Sequence, residues 1–151
     1  MDKSRDKEDQ LKTLSLKIAE DLSLKLLERR TTSAGKVPGL LNLIGKKCFD
    51  LVRDEEPQGI PFLRLASQFT GRLIERGSLS DPEQICHSLE DYIKILREVS
   101  SELPERHRKV ILNTSVNLAL KMLETKTLSP GNLSLTLKSL AVSASTVFDS
   151  C

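Results

Sequence analysis

The 151-residue sequence predicts an all-α fold of about six antiparallel helices, arranged as an irregular helical bundle or as a short stack of paired helices. Three observations carry this. Apolar residues recur at three- and four-residue steps through successive blocks of the chain, the spacing that lines one face of a helix. Five of the six prolines, Pro38, Pro61, Pro82, Pro104 and Pro130, stand 21 to 26 residues apart, room for one helix and one connection each. Proline fits the first helical turn, where its missing N–H had no partner anyway. Aromatic residues make up only 3% of the chain, so the core must come from Leu, Ile and Val, which favours helix-on-helix packing over a β-sandwich.

The first helix is expected over 9–30, with Leu11, Leu14, Ile18, Leu22 and Leu26 on one stripe, and residues 1–8 are expected to be disordered. A break at Thr31 to Lys36 precedes a second helix over 38–53 that carries Leu41, Ile44, Cys48, Phe49 and Val52. The third, over 60–76, presents Phe62, Leu65, Ala66, Phe69, Leu73 and Ile74 and stops at Gly77, the residue best suited to a left-handed C-terminal turn. The fourth, over 81–102, has the clearest start: Ser80 or Asp81 can cap it, Pro82 opens it, and Glu83 meets the positive end of the helix dipole. Its buried stripe is Ile85, Leu89, Tyr92, Ile93, Leu96 and Val99. A fifth helix over 104–125 begins with the basic run Arg106, His107, Arg108 and Lys109 and turns apolar through Val110, Ile111, Val116, Leu120 and Leu123. The sixth, over 130–147, runs through Leu133, Leu137, Leu140, Ala141 and Val147, with a Ser and Thr content that lowers helix propensity.

Alternate prolines, Pro38, Pro82 and Pro130, stand 44 and 48 residues apart (82−38 and 130−82). Apolar residues partly keep register with them: the third residue beyond each is Leu41, Ile85 or Leu133. In period this resembles HEAT-like and armadillo-like repeats, whose units are helix pairs of ~40–47 residues, although no consensus string of those families is present. The resemblance implies stacked helical hairpins.

Composition bounds the function. With 38% hydrophobic and 29% charged residues the chain reads as one folded domain, 1–151, and a net charge of +2 does not mark it for nucleic acid or an anionic membrane. The three cysteines, Cys48, Cys86 and Cys151, form no CxxC pair, and the charged N-terminus resembles neither a leader nor a spanning segment. An intracellular, cytoplasmic protein is expected.

No constellation for catalysis emerges. Cys86 and His87 are adjacent, so on a helix they point about a hundred degrees apart, and no oxyanion hole is evident. Cys48 falls on a buried stripe and reads as a small core residue. Two histidines and three cysteines without a short-range pair give no metal site, and Gly35–Lys36 lacks the glycine that a phosphate-binding loop needs. No cofactor is expected. The cationic start of the fifth helix, Arg106, Arg108 and Lys109, is a candidate contact patch for phosphates, though few aromatics are present to stack on bases. Arg29-Arg30-Thr31-Thr32-Ser33 matches a basophilic phosphorylation motif, and Asn113-Thr114-Ser115 and Asn132-Leu133-Ser134 match the glycosylation sequon.

The expected function is therefore a non-enzymatic protein-interaction module of the adaptor or scaffold type. Leu24 and Leu27, beside the main stripe of the first helix, are the candidate partner-facing residues, for another protein or for a second copy through the N-terminal helix. Two alternatives stand beside it: a helical segment of an extracellular or adhesion-receptor ectodomain, favoured by the sequons, and a weak nucleic-acid-binding domain, favoured only by the basic run.

Overall fold

The computed structural model describes residues 3–54, 59–100 and 105–149. Among them are six α-helices and no strand: α1 (Lys3–Glu28), α2 (Val37–Val52), α3 (Gly59–Glu75), α4 (Pro82–Ser100), α5 (Glu105–Glu124) and α6 (Leu133–Asp149). Short 3-10 turns, Ala34–Lys36 and Pro130–Asn132, lead into α2 and α6. The fold class expected from the sequence is the one observed.

Proline punctuation holds where it is described. Pro38 is the second residue of α2, Pro61 the third of α3 and Pro82 the first of α4, while Pro130 opens the 3-10 turn before α6. Pro104 lies outside the described residues, as do the expected helical ends at 101–102. At α4 the Asp81 Oδ1 accepts the Glu83 N–H at 3.2 Å and the Asp81 carbonyl accepts the Ile85 N–H at 3.1 Å, a side-chain cap as the sequence suggested. Of residues 1–8, expected to be disordered, 3–8 are helical, since α1 already runs from Lys3; residues 1 and 2 lie outside the described residues. Residues 3–8 contain no breaker, their long charged side chains suit a helix, and Glu8 pairs with Lys12 one turn on at 3.5 Å.

The three odd-numbered helices end in the same way. At α1 the Arg30 N–H reaches the Leu27 carbonyl and the Thr31 N–H the Leu26 carbonyl, with Arg30 at φ 59°. At α3 Gly77 and Ser78 bond to Ile74 and Leu73, with Gly77 at φ 77°. At α5 Lys126 and Thr127 bond to Leu123 and Met122, with Lys126 at φ 60°. Each is a Schellman closure around one left-handed residue. The three stretches share a pattern that single helices hide: Leu27-Glu28-Arg29-Arg30-Thr31-Thr32-Ser33, Ile74-Glu75-Arg76-Gly77-Ser78-Leu79-Ser80 and Leu123-Glu124-Thr125-Lys126-Thr127-Leu128-Ser129. An aliphatic residue and Glu precede the turn, a hydroxyl residue follows the left-handed position, and Ser stands two further on.

By internal contacts the chain divides into two compact units, Met1–Glu90 and Asp91–Cys151, with the boundary inside α4. In the first, α1 packs on α2 and on α3. Lys12 lies 5.9 Å over the Phe49 ring while a Cβ on Gly45 would meet Ala19 at 3.6 Å, so α1 and α2 run antiparallel. Small residues bring them close: Ser15, Ala19 and Ser23 are buried at successive turns of α1. The pairing of α1 with α3 advances in step along both helices, which are therefore parallel. Gly71 leaves room for the stem of Lys25, whose Nζ lies 2.9 Å from the Glu75 carboxylate and 3.6 Å from Asp21, and one turn on Arg29 Nη1 donates to the Glu75 carbonyl at 2.7 Å. Across α3 and α4 the Thr70 and Ser88 hydroxyls bond at 3.1 Å, and Lys47 of α2 pairs with Glu90 of α4 at 3.0 Å. In this unit α1 and α3 thus lie side by side, first helix beside first helix, with the start of α4 against α3, the relation expected of stacked helix pairs.

The core of the first unit is built from Leu22, Leu26, Ile44, Leu63, Phe69 and Leu73, all essentially inaccessible. Burial of each such side chain contributes about 1.5–3 kcal/mol relative to exposure. In the second unit α5 packs on α6 around Ile111, Ala119, Leu120, Leu133, Leu137 and Ala141, with Tyr92, Ile93 and Leu96 of α4 also buried. Two residues expected on buried stripes are exposed instead, Val110 and Val147. Val110 stands one residue before the buried Ile111–Ser115–Ala119 line, about 100° off it. Val147 lies six residues past Ala141, about 120° round the helix from that residue.

Three substitutions test these details. Gly77→Ala should cost about 1 kcal/mol or more in urea unfolding, because an alanine at positive φ is strained and its Cβ would stand 2.7 Å from Arg29 Nη2. Lys126→Gly should instead stabilise, by up to about 1 kcal/mol, since it relieves a side chain held in the left-handed region. The Ser23 hydroxyl is buried with no hydrogen-bond partner, so Ser23→Ala should raise stability by about 1 kcal/mol. An unchanged or lowered urea midpoint would show that the hydroxyl is satisfied in solution.

Candidate functional site

The residues singled out in the sequence lie on separate elements. Arg106 is exposed in the first turn of α5; Arg108 and Lys109 belong to the same helix, and their side chains lie outside the described residues. On α1 the two candidate contact residues part company: Leu24 is 48% exposed, while Leu27 is half-buried against its own unit. Asn113 is exposed in the middle of α5, and Asn132 is exposed in the 3-10 turn before α6, its Nδ2 3.3 Å from Ser129 Oγ. Gly35 and Lys36 form part of the other 3-10 turn.

The cysteines sit where a small core residue would. Cys48 of α2 is completely buried and Cys86 of α4 half-buried, both as free thiols, with His87 turned outward on α4. Burial pushes the Cys48 thiol up from 9.0 to about 12, helped by the neighbouring Cys86. The Cys86 thiol is also raised, chiefly by burial and further by Glu83 and Glu90, against the opposing pull of Lys47. Raised values keep both sulfurs protonated, the reverse of what a nucleophile needs. Among the described residues no group of three or more His, Cys, Asp or Glu side chains could hold a metal ion, and no helix is long and apolar enough to cross a membrane.

What the structure does concentrate is apolar surface on α6. Leu135 is 71% exposed, Val142 53% and Val147 63%. Leu135, Ser139, Val142 and Thr146 recur at steps of four, three and four residues, a single outward stripe. The Thr146 hydroxyl donates to the Val142 carbonyl at 3.0 Å, and the Ser145 hydroxyl reaches the same oxygen at 2.7 Å. Thr146 therefore spends its hydroxyl on its own helix. Of the 17 residues of α6 only Lys138 and Asp149 carry charge, and Lys138 is engaged with Glu98 of α4 at 3.2 Å. The outer faces of α1 and α4 bear Lys17, Glu20, Lys94 and Glu98 instead. Sequence reasoning missed this face and also read Val147, which lies off it, as core; the signal available was the near-absence of charge in 133–149.

What this arrangement offers is apolar surface that could be removed from water by contact. The raised thiol of Cys48 gives a direct test of the buried site. Native protein should leave Cys48 unalkylated by iodoacetamide near neutral pH and expose it only on unfolding. Because the folded value exceeds the unfolded one, the contribution of the neutral thiol to stability is complete below 9.0 and is lost as pH rises toward about 12. Cys48→Ala should flatten that alkaline fall, and an undiminished slope would place its origin elsewhere.

No family model, no curated protein and no solved structure matches this chain, so its function has to be read from the surface it presents.

Proposed function

We propose that this chain is a non-catalytic protein-interaction module of the adaptor or scaffold type, and that the outer stripe of α6 forms part of its contact surface. The observation that supports this is the exposure of Leu135 and Val142 on one face of a helix that has almost no charge. Single exposed leucines are ordinary on any protein, but apolar neighbours on one face, with a single cation, Lys138, between them in sequence and paired to Glu98, mark places where a second surface is accommodated. Covering Leu135 and Val142 would remove apolar surface from water at about 25 cal/mol per Å². Part of that gain offsets the loss of rotational freedom on binding, so affinity depends on the fit of the partner as well as on area. Leu24 offers a second, smaller apolar contact on α1.

The test is a comparison of three full-length proteins used as bait in extract of the native cell: wild type, Leu135→Glu/Val142→Glu and Leu24→Glu. The proposal expects a partner held by the wild type and by Leu24→Glu but released, by tenfold or more in retained amount, by the α6 variant with unchanged helical circular dichroism. Retention by the α6 variant with loss in Leu24→Glu would move the contact to the N-terminal helix. Binding that instead falls steeply with salt and disappears when Arg106, Arg108 and Lys109 are neutralised would speak for nucleic acid.

One observation favours a second reading, an ectodomain segment: both sequon asparagines, Asn113 and Asn132, have exposed side chains. Expression behind a secretion leader in a glycosylating host separates the two readings. Glycan mass at either position supports the ectodomain, whereas an unmodified, poorly secreted product counts against it.

A further inference from the structure

The turn after α1 carries a basic pair followed by three hydroxyl residues, Arg29-Arg30-Thr31-Thr32-Ser33, and the structure gives the three hydroxyls different roles. The Thr31 hydroxyl donates to the Leu26 carbonyl at 3.0 Å and belongs to the closure of α1. Thr32 is half-buried. Ser33 is exposed, its backbone is extended at φ −100° and ψ 158°, and although it stands at the cap of the following turn its side chain makes no capping hydrogen bond. We propose that Ser33 is a phosphorylation site for an arginine-directed serine/threonine kinase, a modification independent of the α6 contact surface.

Recognition of such a site rests on cations upstream of the acceptor, and the two arginines are not equivalent. Arg29 is committed to the fold: its Nη1 donates to the Glu75 carbonyl at 2.7 Å and its guanidinium covers Gly77. Arg30, three residues before Ser33, is exposed at the corner of the turn, where its left-handed backbone turns the chain away from α1. A guanidinium there can form a bidentate pair with a carboxylate of the kinase. No acidic residue lies between Arg29 and the end of the first turn of α2 to oppose that approach.

The transfer balances with ATP as the co-substrate. The Ser33 Oγ forms a bond to the γ-phosphorus as the bond from that phosphorus to the β,γ-bridging oxygen breaks; ADP leaves, and the hydroxyl proton passes to the catalytic carboxylate of the kinase. The product carries a charge of about −1.5 to −2. It would lie beside Arg30 and close to Lys36, ahead of two helical turns that contain no acid of their own. The start of α4 already uses an anion in the capping role, Asp81. Phosphorylation would place an anion at the cap of the 3-10 turn that leads into α2.

The experiment is incubation of the folded full-length chain with Mg-ATP and the catalytic domain of an arginine-directed kinase, followed by intact mass and fragment sequencing. One phosphate, located on Ser33, is expected. Ser33→Ala should abolish it, Thr32→Ala should leave it intact, and Arg30→Ala should lower the initial rate on the order of tenfold, the loss of one charge-assisted contact. Arg29→Ala should change the rate much less. Phosphate found on Thr31 or Thr32, a rate indifferent to Arg30, or modification of Ser33 only after unfolding in urea would each overturn the assignment. Circular dichroism of the variants, all substituted outside the core, separates loss of the site from loss of the fold.

Discussion

The closure of α1, α3 and α5 around a single left-handed residue is the constraint on which the other contacts depend. When the Thr31 N–H turns back to Leu26 and the Ser78 N–H to Leu73, the chain leaves each helix in one direction and cannot extend it. That direction sets where the next helix starts, and with it which residues of α2 face α1. The closures also satisfy carbonyls at the helix ends that have no partner within the helix. Three turns with the same hydrogen bonds and a shared aliphatic-Glu start point to one local solution used three times, which is how a paired-helix repeat is built.

Placement of one hairpin beside the next in the first unit uses the same turns. Glu75, at the shared glutamate position of α3, receives the Lys25 ammonium on its carboxylate and the Arg29 guanidinium on its carbonyl. The Glu75 contact is the main reason that the Lys25 ammonium is held above its usual range, so its contribution persists at neutral pH and is lost only as alkali titrates the lysine. Gly71 and Gly77 clear the path for the two long cations, and a side chain at either would stand within 3.0 Å of one of them. Specificity of alignment thus resides in glycines and in the ends of long side chains.

Much of this was legible in the sequence. The helix count, the proline starts, the Asp81 cap and the Gly77 stop follow from local chemistry that depends on few neighbours. The left-handed turns at Arg30 and Lys126 were not legible, because nothing in an arginine or lysine announces positive φ; they emerge only when their turns are laid beside the one that contains glycine. The early start of α1 was missed because an unpatterned charged run reads as unanchored, while the chain settles it by propensity and the Glu8–Lys12 pair. For the surface, the first helix drew attention through Leu24 and Leu27, of which only Leu24 is exposed. The α6 stripe escaped because apolar residues occupy two sides of that helix, and periodicity alone cannot say which side meets the core.

Magnitudes decide what holds the stacked hairpins together and what only aligns them. The Lys25–Glu75 pair involves a carboxylate 55% exposed to solvent, and Lys47–Glu90 is about one third exposed at both ends. Pairs of that kind contribute about 0.2–1 kcal/mol and weaken with salt. Leu22, Leu26, Leu73 and Ile74, all without accessible surface, contribute about 1.5–3 kcal/mol each by burial. The association of α1 with α3 is therefore hydrophobic in strength and ionic in register: screening the charges should loosen the choice of alignment long before it separates the helices. The same division applies to the outer surface. An apolar stripe such as that of α6 can supply strength to a contact, but with almost no charge of its own it cannot supply orientation, which must come from the shape of the partner or from polar groups at its margin.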